Sequence, residues 1–233
     1  MKQSNTLVSV IVSVYNGQDS IKKSIDSLLR QNYEYLEILI MDDGSSDSSL
    51  KTIKLYESQN NNIKVFVNHE NIGLTKSLNK LIDLSSGEII IRHDIDDISK
   101  ENRISRQVEE FSKNNIDFCL SRATRLDTNS FIPKFSYYLP DKFVLKFKNP
   151  FIHGTLAIKK NVLLEIGKYD EDFVYAQDYK LFSDLILKGY KYKVLNESLY
   201  LLNMKNNISS KNRIQQNYYA ESVQKGLKPE KWR

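Results

Sequence analysis

Residues 36–50 read LEILIMDDGSSDSSL, in which an apolar run is followed by a polar turn with one glycine and then by a helical pattern. The run from Leu36 to Met41 has the length of a strand and the near-continuous apolar character of strands buried on both faces of a sheet. Leu50 and Ile53 open the helical spacing that follows. This strand–turn–helix unit is the basis of the predicted fold.

The unit recurs along the first half of the chain. We predict strands at Leu7 to Val14, Leu36 to Met41, Ile63 to Val67 and Glu88 to Arg92, and helical spacing follows each of the first three. Alternating strands and helices are typical of an α/β fold with a mostly parallel sheet flanked by helices. In the second half we predict helices at 104–111 and 179–187, strands at 117–120 and 155–158, and loops or a hairpin in the aromatic-rich residues 130–150.

Composition limits the class of protein. The chain has 233 residues, 40% hydrophobic and 27% charged, which suits one globular domain with a single core. No apolar run reaches the ~18 residues of a membrane helix, and we interpret residues 7–14 as a buried strand, not a signal peptide. Cys119 is the only cysteine, so no internal disulfide can form; we expect it in the core of a cytoplasmic protein.

The net charge of +5 comes from the end of the chain. Residues 203–233 contain seven basic and two acidic side chains, so this segment carries the whole net charge. We predict a helical basic tail that contacts either an anionic membrane face or a phosphate-bearing partner; a solvated surface helix is the open alternative. No nucleic-acid-binding motif is present, so nucleic acid is not a predicted partner.

Polar residues follow three of the predicted strands. They are Ser13 to Asn16, Asp42 to Asp47 and His93 to Asp97. Ligands of doubly wound sheets bind beyond the carboxyl ends of the strands, so we expect a ligand site where these clusters meet.

The third cluster contains three carboxylates within four residues, at Asp94, Asp96 and Asp97. Like charges at this spacing repel one another unless a cation lies between them. Oxygen ligands favour Mg²⁺ or Mn²⁺, and such an ion completes its coordination with substrate phosphates and water. The pattern indicates a metal-bound diphosphate; the alternative is an acidic turn that caps the helix starting near Lys100.

Longer stretches carry a family resemblance. VSVIVSVYN (8–16), LEILIMDDGSSDSS (36–49) and NIGLTKSLNKLIDLSSGEIIIRHDIDD (71–97) resemble the opening of family 2 glycosyltransferases with the GT-A fold. FIHGTLAIKKNVLLEIGKYDEDF (151–173) and AQDYKLFSDLILKGYK (176–191) continue the resemblance. No single motif is decisive, but the ordered set, over about residues 6–200, is specific.

The resemblance implies an activity and a domain plan. The expected reaction is inverting transfer of a sugar from a UDP- or dTDP-sugar to an acceptor hydroxyl, dependent on Mn²⁺ or Mg²⁺. The acceptor would be a saccharide or lipid-linked saccharide in bacterial surface polysaccharide or glycolipid synthesis. A GT-A domain would span residues 1–202, with a nucleotide-binding half at about 1–98 and an acceptor-binding half at about 99–202, before the tail at 203–233.

The resemblance also assigns roles in the nucleotide-binding half. Ser13 and Tyr15 would hold the base, and Asp43 would accept a hydrogen bond from a uracil or thymine imide. Asp94 would lie near the ribose, and Asp96 would ligate the metal. A turn or helix-capping role for Asp43 remains open.

In the acceptor-binding half, Asp178 matches the catalytic base, which would take the proton of the attacking hydroxyl. Aspartates are ionised at neutral pH, as a general base requires. His153 and Gly154 match the segment lining the acceptor side. A hydrogen-bonded structural role for His153 and a helix N-terminal role for Asp178 remain open.

The sequence departs from the family pattern after the last strand. Members often carry Arg and His there to hold the diphosphate and metal, whereas residues 200–205 read YLLNMK. Lys205 or Asn203 is the expected substitute, and Lys76 is the nearest match to an Arg beside the third helix. A non-catalytic sugar-nucleotide-binding or scaffold protein is therefore the main alternative. A nucleotidyltransferase is disfavoured because Tyr15-Asn16-Gly17 replaces its glycine-rich basic loop.

Overall fold

The computed structural model describes residues 5–134, 138–204 and 212–230. The strands within these residues are β1 Val8–Val14, β2 Leu36–Asp43, β3 Ile63–Asn68, β4 Ile89–Arg92, β5 Ile98–Ser99, β6 Phe118–Arg125, β7 Phe131–Ile132, β8 Ala157–Lys159 and β9 Tyr192–Leu202. The helices are α1 Ile21–Leu29, α2 Ser49–Gln59, α3 Leu74–Leu84, α4 Arg103–Asn114, α5 Asp141–Val144, α6 Lys160–Ile166, α7 Gln177–Leu187 and α8 Arg213–Lys225.

The strands form one central sheet in the order β3-β2-β1-β4-β8-β6-β9-β5, with β7 paired to β6. Strands β1 to β4 run parallel to one another, and β6 and β9 form a long parallel pair. The short strands β5, β7 and β8 are antiparallel to their partners. The prediction of an α/β fold with a mostly parallel sheet flanked by helices is confirmed.

The sheet is buried on both faces because alternate residues of its strands enter two different apolar clusters. Val10 and Val12 of β1 pack with α1, α2 and α4, whereas Ile11 packs with α3, α6 and α7 on the other face. A strand covered on both faces needs apolar residues at consecutive positions, which explains the runs in the sequence. Cys119 lies fully buried in β6, as predicted.

The second half differs in detail from the prediction. Residues 130–150 contain the short strand β7, antiparallel to β6, and then the one-turn helix α5, which was not predicted. Thr155 belongs to a 3₁₀ turn at His153–Thr155, so β8 starts at Ala157, two residues later than expected. Single turns of helix are too short for hydrophobic periodicity to reveal.

Helix α8 lies within the predicted basic tail and packs on the domain. The buried ring of Tyr219 contacts the rings of Phe173 and Tyr175, which precede α7. The proposed domain boundary at residue 202 stays a prediction. Among the described residues, no helix has the length and apolarity needed to span a membrane.

Candidate functional site at the carboxyl ends of the strands

Two loops are joined at the edge where β1 and β2 end. The Asn16 amide donates to Ser45 Oγ at 3.0 Å, and Asn16 Oδ1 accepts from the Ser46 amide at 2.9 Å. Ser13 lies partly exposed near the end of β1, and Tyr15 follows with 53% of its surface exposed. The Tyr15 ring is thus a free apolar surface at the edge where the predicted nucleotide would bind.

Asp43 is buried and accepts three hydrogen bonds from the end of β3 and from the loop between β3 and α3. Its donors are the Asn68 side-chain amide at 2.9 Å and the backbone amides of Ile72 at 3.1 Å and Gly73 at 2.9 Å. Gly44 makes this close approach possible, since a Cβ there would lie 2.7 Å from the Glu70 backbone. The Asp43 carboxylate therefore holds the loop in place, which corresponds to the turn role left open by the sequence.

The neighbouring Asp42 has a free acceptor. Its Oδ2 accepts from the Ser45 amide at 3.1 Å, but its buried Oδ1 has no hydrogen-bond partner among the described residues. An unpaired buried carboxylate oxygen is costly, so such atoms are often satisfied by a ligand or water. Asp42 was not among the predicted site residues.

The acidic turn after β4 is drawn into the protein and not splayed into solvent. Asp97 is buried, and Asp94 and Asp96 are half-buried. Burial, reinforced by the charge of Asp94, raises the pKa of Asp96 to about 6. The same causes, with Asp96 added, raise the pKa of Asp97 to about 8. Each carboxylate thus makes it harder for its neighbours to ionise, and a bound cation would remove this repulsion.

The turn does not cap a helix. Helix α4 starts at Arg103, its N-cap residue is Asn102, and no side chain caps it. Instead Ile95 packs against the β1–α1 loop. The evidence is the short distance at Gly17, where an added Cβ would lie 3.3 Å from Ile95 Cγ2. The alternative of a solvated helix-capping turn is therefore wrong, and the turn adjoins the loop that carries Tyr15.

Arg92 is a site residue that the sequence analysis missed. Its side chain is buried, and its guanidinium pairs with the Asp94 carboxylate and with the His93 carbonyl. The sequence signal was a basic residue at the end of an apolar strand, where β4 meets the acidic turn. The ion pair with this buried guanidinium fixes the orientation of the Asp94 carboxylate.

A buried network under the turn supports it from below. The Asp94 amide donates to the Tyr200 hydroxyl at 2.9 Å, and the Asn203 amide donates to Asp97 Oδ1 at 2.7 Å. The Arg103 guanidinium lies 4.6 Å from the centre of the Tyr200 ring and donates to the Arg92 carbonyl at 2.9 Å. Tyr200 comes from β9, more than a hundred residues away, so only the fold brings it here.

His93 is also part of this network. Its ring nitrogens lie 2.8 Å from Ser24 Oγ and 3.1 Å from Ser99 Oγ. Burial, aided by the charges of Arg103 and Arg92, lowers the pKa of His93 well below its ordinary value. His93 therefore serves as a neutral structural side chain that joins α1 to the acidic turn.

The second half contributes His153 and Asp178. His153 Nε2 lies 2.7 Å from the Tyr169 hydroxyl. Asp178, in the first turn of α7, accepts a hydrogen bond at 2.8 Å from the side-chain amide of Asn149. Asn149 was not predicted, and no sequence signal distinguished it. Among the described residues, the other carboxylate oxygen of Asp178 accepts no hydrogen bond.

The pKa of His153 is shifted by burial and by charges from both halves of the chain. Burial is the main cause that lowers the pKa of His153, and the charge of Arg92 adds to it. The charges of Asp178 and Asp94 act in the opposite direction on the same ring. Contacts connect the same segment to both regions: the Phe151 amide donates to Asn149, which binds Asp178, and Gly154 packs against Tyr200, which binds the Asp94 amide.

Gly154, next to His153, is packed against Tyr200, since a Cβ there would lie 2.6 Å from the hydroxyl oxygen. The structure does not bring Lys76 into this group: it is exposed on α3 with no ion-pair partner in the described parts of the chain. Lys205 lies outside the described residues. No three Asp, Glu, His or Cys side chains within the described ranges converge as a metal-binding group.

Comparisons with known proteins identify the chain as a glycosyltransferase with the GT-A fold and give its family. Residues 9–167 match the model of Glycosyl transferase family 2. The chain belongs to this family. The resemblance of the sequence to family 2 glycosyltransferases is confirmed.

A curated relative and two solved structures illustrate the match. The UDP-Glc:alpha-D-GlcNAc-diphosphoundecaprenol beta-1,3-glucosyltransferase of Escherichia coli is 31% identical over 182 residues, covering 77% of this chain and 70% of the relative. Staphylococcus aureus TarS 1–349 in complex with UDP-GlcNAc superposes with a TM-score of 0.76 at 20% identity, covering 88% of this chain and 61% of TarS.

The second structure is the mannosyltransferase PcManGT from Pyrobaculum calidifontis, in complex with GDP-Man and Mn²⁺. It superposes with a TM-score of 0.75 at 20% identity, covering 96% of this chain and 66% of the mannosyltransferase. These structures show the fold. The chain spans 61–70% of the length of the first curated relatives that it matches.

Proposed function

We propose that this glycosyltransferase moves a sugar, with inversion, from a UDP- or dTDP-sugar to the hydroxyl of a saccharide or lipid-linked saccharide. The observation that carries the proposal is the segment from Asn149 to Gly154, because Asn149 binds Asp178 while Gly154 packs against Tyr200, whose hydroxyl binds the Asp94 amide. Inversion needs a donor site and one general base on opposite sides of the reacting carbon. Asp94 and Asp178 supply groups suited to these two roles.

The nucleotide would lie over the ends of β1 and β2. The exposed ring of Tyr15 offers a stacking surface for the base, and Ser13 lies two residues before it. Asp43 binds the β3–α3 loop, whereas Asp42 Oδ1 has no hydrogen-bond partner within the described ranges. We therefore assign the hydrogen bond to the base imide to Asp42 and the ordering of the loop to Asp43, a revision of the role first expected for Asp43.

A divalent cation fits the acidic turn. Mutual repulsion and burial raise the pKa values of Asp96 and Asp97, and a cation of the Mn²⁺ or Mg²⁺ type would remove that penalty. Asp96, half-buried and accepting no side-chain hydrogen bond in the described chain, is the residue that would hold it, with phosphates and water completing the shell. Bound there, the cation would offset the negative charge on the leaving diphosphate.

Asp178 would act as the base. An acceptor oxygen attacks the anomeric carbon as the bond from that carbon to the diphosphate oxygen breaks, and the hydroxyl proton passes to the free carboxylate oxygen of Asp178. The Asn149 amide holds the other oxygen and so orients the carboxylate. Positioned bases contribute roughly 10²–10⁴ in rate.

The setting of the reaction is inferred from relatives. The E. coli relative carries an undecaprenyl-diphosphate acceptor in its name, so we propose a surface polysaccharide or glycolipid acceptor for this chain. We also propose a cytoplasmic location, in line with the expectation from the single cysteine.

A donor-hydrolysis assay tests the proposal. The protein is incubated with a panel of UDP-, dTDP- and GDP-sugars and Mn²⁺, and release of the free nucleotide is measured without an acceptor. Turnover that is lost in Asp96→Ala supports a metal-dependent enzyme. Binding of a nucleotide sugar with no turnover, with or without candidate acceptors, would instead support the non-catalytic alternative.

A further inference from the structure

A surface ridge beside the proposed acceptor side combines exposed apolar and basic side chains. The ridge consists of Leu139, Lys142, Phe143, Lys146, Phe147 and Lys148, all exposed. Phe143 and Phe147 are 54% and 64% exposed, and their ring centroids lie 5.3 Å apart in an edge-to-face arrangement. Paired exposed phenylalanines are unusual on a surface that only water contacts, because burial of each ring would be favourable.

The ridge is held rigidly from below. Val144 is buried, and the Leu145 carbonyl accepts a hydrogen bond from the Tyr179 hydroxyl of α7. The Phe147 carbonyl accepts from the Gln224 side chain of α8 at 2.7 Å. The backbone of the ridge is thus attached to two helices, while its aromatic rings point away from the core.

The charges of the ridge are arranged for an anionic partner. Lys142, Lys146 and Lys148 have no ion-pair partner in the described parts of the chain. Asp141, the acidic residue within the sequence of this segment, accepts a hydrogen bond at 2.7 Å from the Tyr192 hydroxyl and is half-buried. Its carboxylate is directed at the sheet, which leaves the outer face of the ridge basic.

Two lysines in the described part of the basic tail already have acidic partners. Lys225 of α8 pairs with Glu221 at 3.1 Å, and Lys228 pairs with Asp172 at 2.5 Å. The aromatic Tyr219 of the tail is buried against α7. The described lysines of α8 and its end are therefore already neutralised, whereas those of the ridge are not.

We infer that the ridge docks on an anionic phospholipid bilayer, with Phe143 and Phe147 entering the interface and the three lysines contacting the headgroups. Exposed aromatic residues interleaved with lysines are the combination that peripheral membrane binding requires. Each lysine near such a surface is worth about 1 kcal/mol, or roughly fivefold in binding.

The ridge also lies next to the proposed base. Asn149, which orients Asp178, directly follows Lys148 in the chain. A membrane-docked ridge would therefore turn the Asp178 side of the site towards the bilayer, where a lipid-linked acceptor would be presented. This consequence rests on the proposed function, but the membrane binding itself does not.

Vesicle sedimentation tests the docking. The protein is mixed with vesicles of phosphatidylglycerol and phosphatidylcholine, and with vesicles of phosphatidylcholine alone. We expect binding to the anionic vesicles only, weakened about 100-fold in the triple variant Lys142→Gln, Lys146→Gln, Lys148→Gln. The double variant Phe143→Ser, Phe147→Ser should lose at least about tenfold. The matched control is Leu55→Ser with Lys51→Gln, an exposed pair on α2 that should bind as the wild type does.

A second readout does not depend on the stability of these variants. In Phe147→Trp, made in a Trp232→Phe background, we expect the fluorescence maximum to shift to shorter wavelength with anionic vesicles. An unchanged spectrum, equal binding of the wild type to neutral vesicles, or an equal loss in the α2 control would overturn the inference. So would a dimer in sedimentation equilibrium that the double variant disrupts, since a second copy would then cover the ridge. If the wild-type protein binds anionic vesicles but does not hydrolyse any donor, the result would count against the proposed function and not against the membrane docking.

Discussion

Replacement of Gly154 by alanine should destabilise the protein through a clash with Tyr200. The new Cβ would lie 2.6 Å from the Tyr200 hydroxyl oxygen and 2.7 Å from Cε1, far inside the ~3.5–4.0 Å of ordinary contact. The ring cannot retreat easily, because it is fully buried with the Arg103 guanidinium 4.6 Å from its centroid and the His93 ring at 5.4 Å. Either the Tyr200 ring or the backbone at residue 154 must therefore move.

The expected size follows from the cost of overpacking. Insertion of a methyl group into a packed core costs about 1–3 kcal/mol. At about 2–4 °C per kcal/mol for a chain of this length, a mid-range cost lowers the melting temperature by about 4–8 °C. Displacement of the Tyr200 hydroxyl also weakens its bond to the Asp94 amide, worth about 0.5–1.5 kcal/mol. We therefore expect about 2–10-fold weaker UDP binding with Mn²⁺ present.

Scanning calorimetry and titration calorimetry measure the two effects. The matched control is Gly17→Ala, whose Cβ would meet only side-chain atoms, the nearest at 3.3 Å. Its free energy of unfolding should change by less than about 0.5 kcal/mol. If Gly154→Ala has the wild-type melting temperature and UDP affinity, the Tyr200 ring has room to move and the support assigned to the acidic turn is incorrect.

Four further predictions concern the site itself. Asp178→Asn keeps the shape of the side chain but removes the general base, so the rate of sugar transfer should fall by about 10²–10⁴. Titration calorimetry should show unchanged donor affinity. Transfer at the wild-type rate would exclude Asp178 as the base. Asp96→Ala should abolish the increase in UDP affinity on adding Mn²⁺, and an undiminished Mn²⁺ effect would remove the metal role. Asp42→Asn should weaken UDP binding by about tenfold with little change in melting temperature, because it alters an oxygen that has no partner in the part of the chain that the structure describes. Asp43→Asn should instead lower the free energy of unfolding by about 1–3 kcal/mol, because it disturbs three hydrogen bonds. If thermal melts and titrations show the reverse pattern for the two variants, Asp43 and not Asp42 contacts the nucleotide base.

How much of the site was predictable depends on whether a signal is local in the sequence. The acidic turn was found because Asp94, Asp96 and Asp97 are adjacent in the chain and follow an apolar strand. Tyr200 and Asn149 were not found, because their partners Asp94 and Asp178 are 106 and 29 residues away. Nothing in the immediate neighbourhood of either residue marks it as a partner of the site.

The sequence by itself determined the layered α/β fold and the edge that carries the site. A strand covered on both faces must be apolar at consecutive positions, and polar residues after such strands can only gather where the strands end. Only the tertiary structure decided how the acids at that edge divide their roles. Asp42 and Asp43 are adjacent and chemically identical, yet they extend to opposite faces of β2, so one meets three donors and the other keeps a free oxygen. The tertiary structure likewise paired the Arg92 guanidinium with Asp94. A buried charge needs an opposite charge close to it, and only the packed chain determines which group lies close enough.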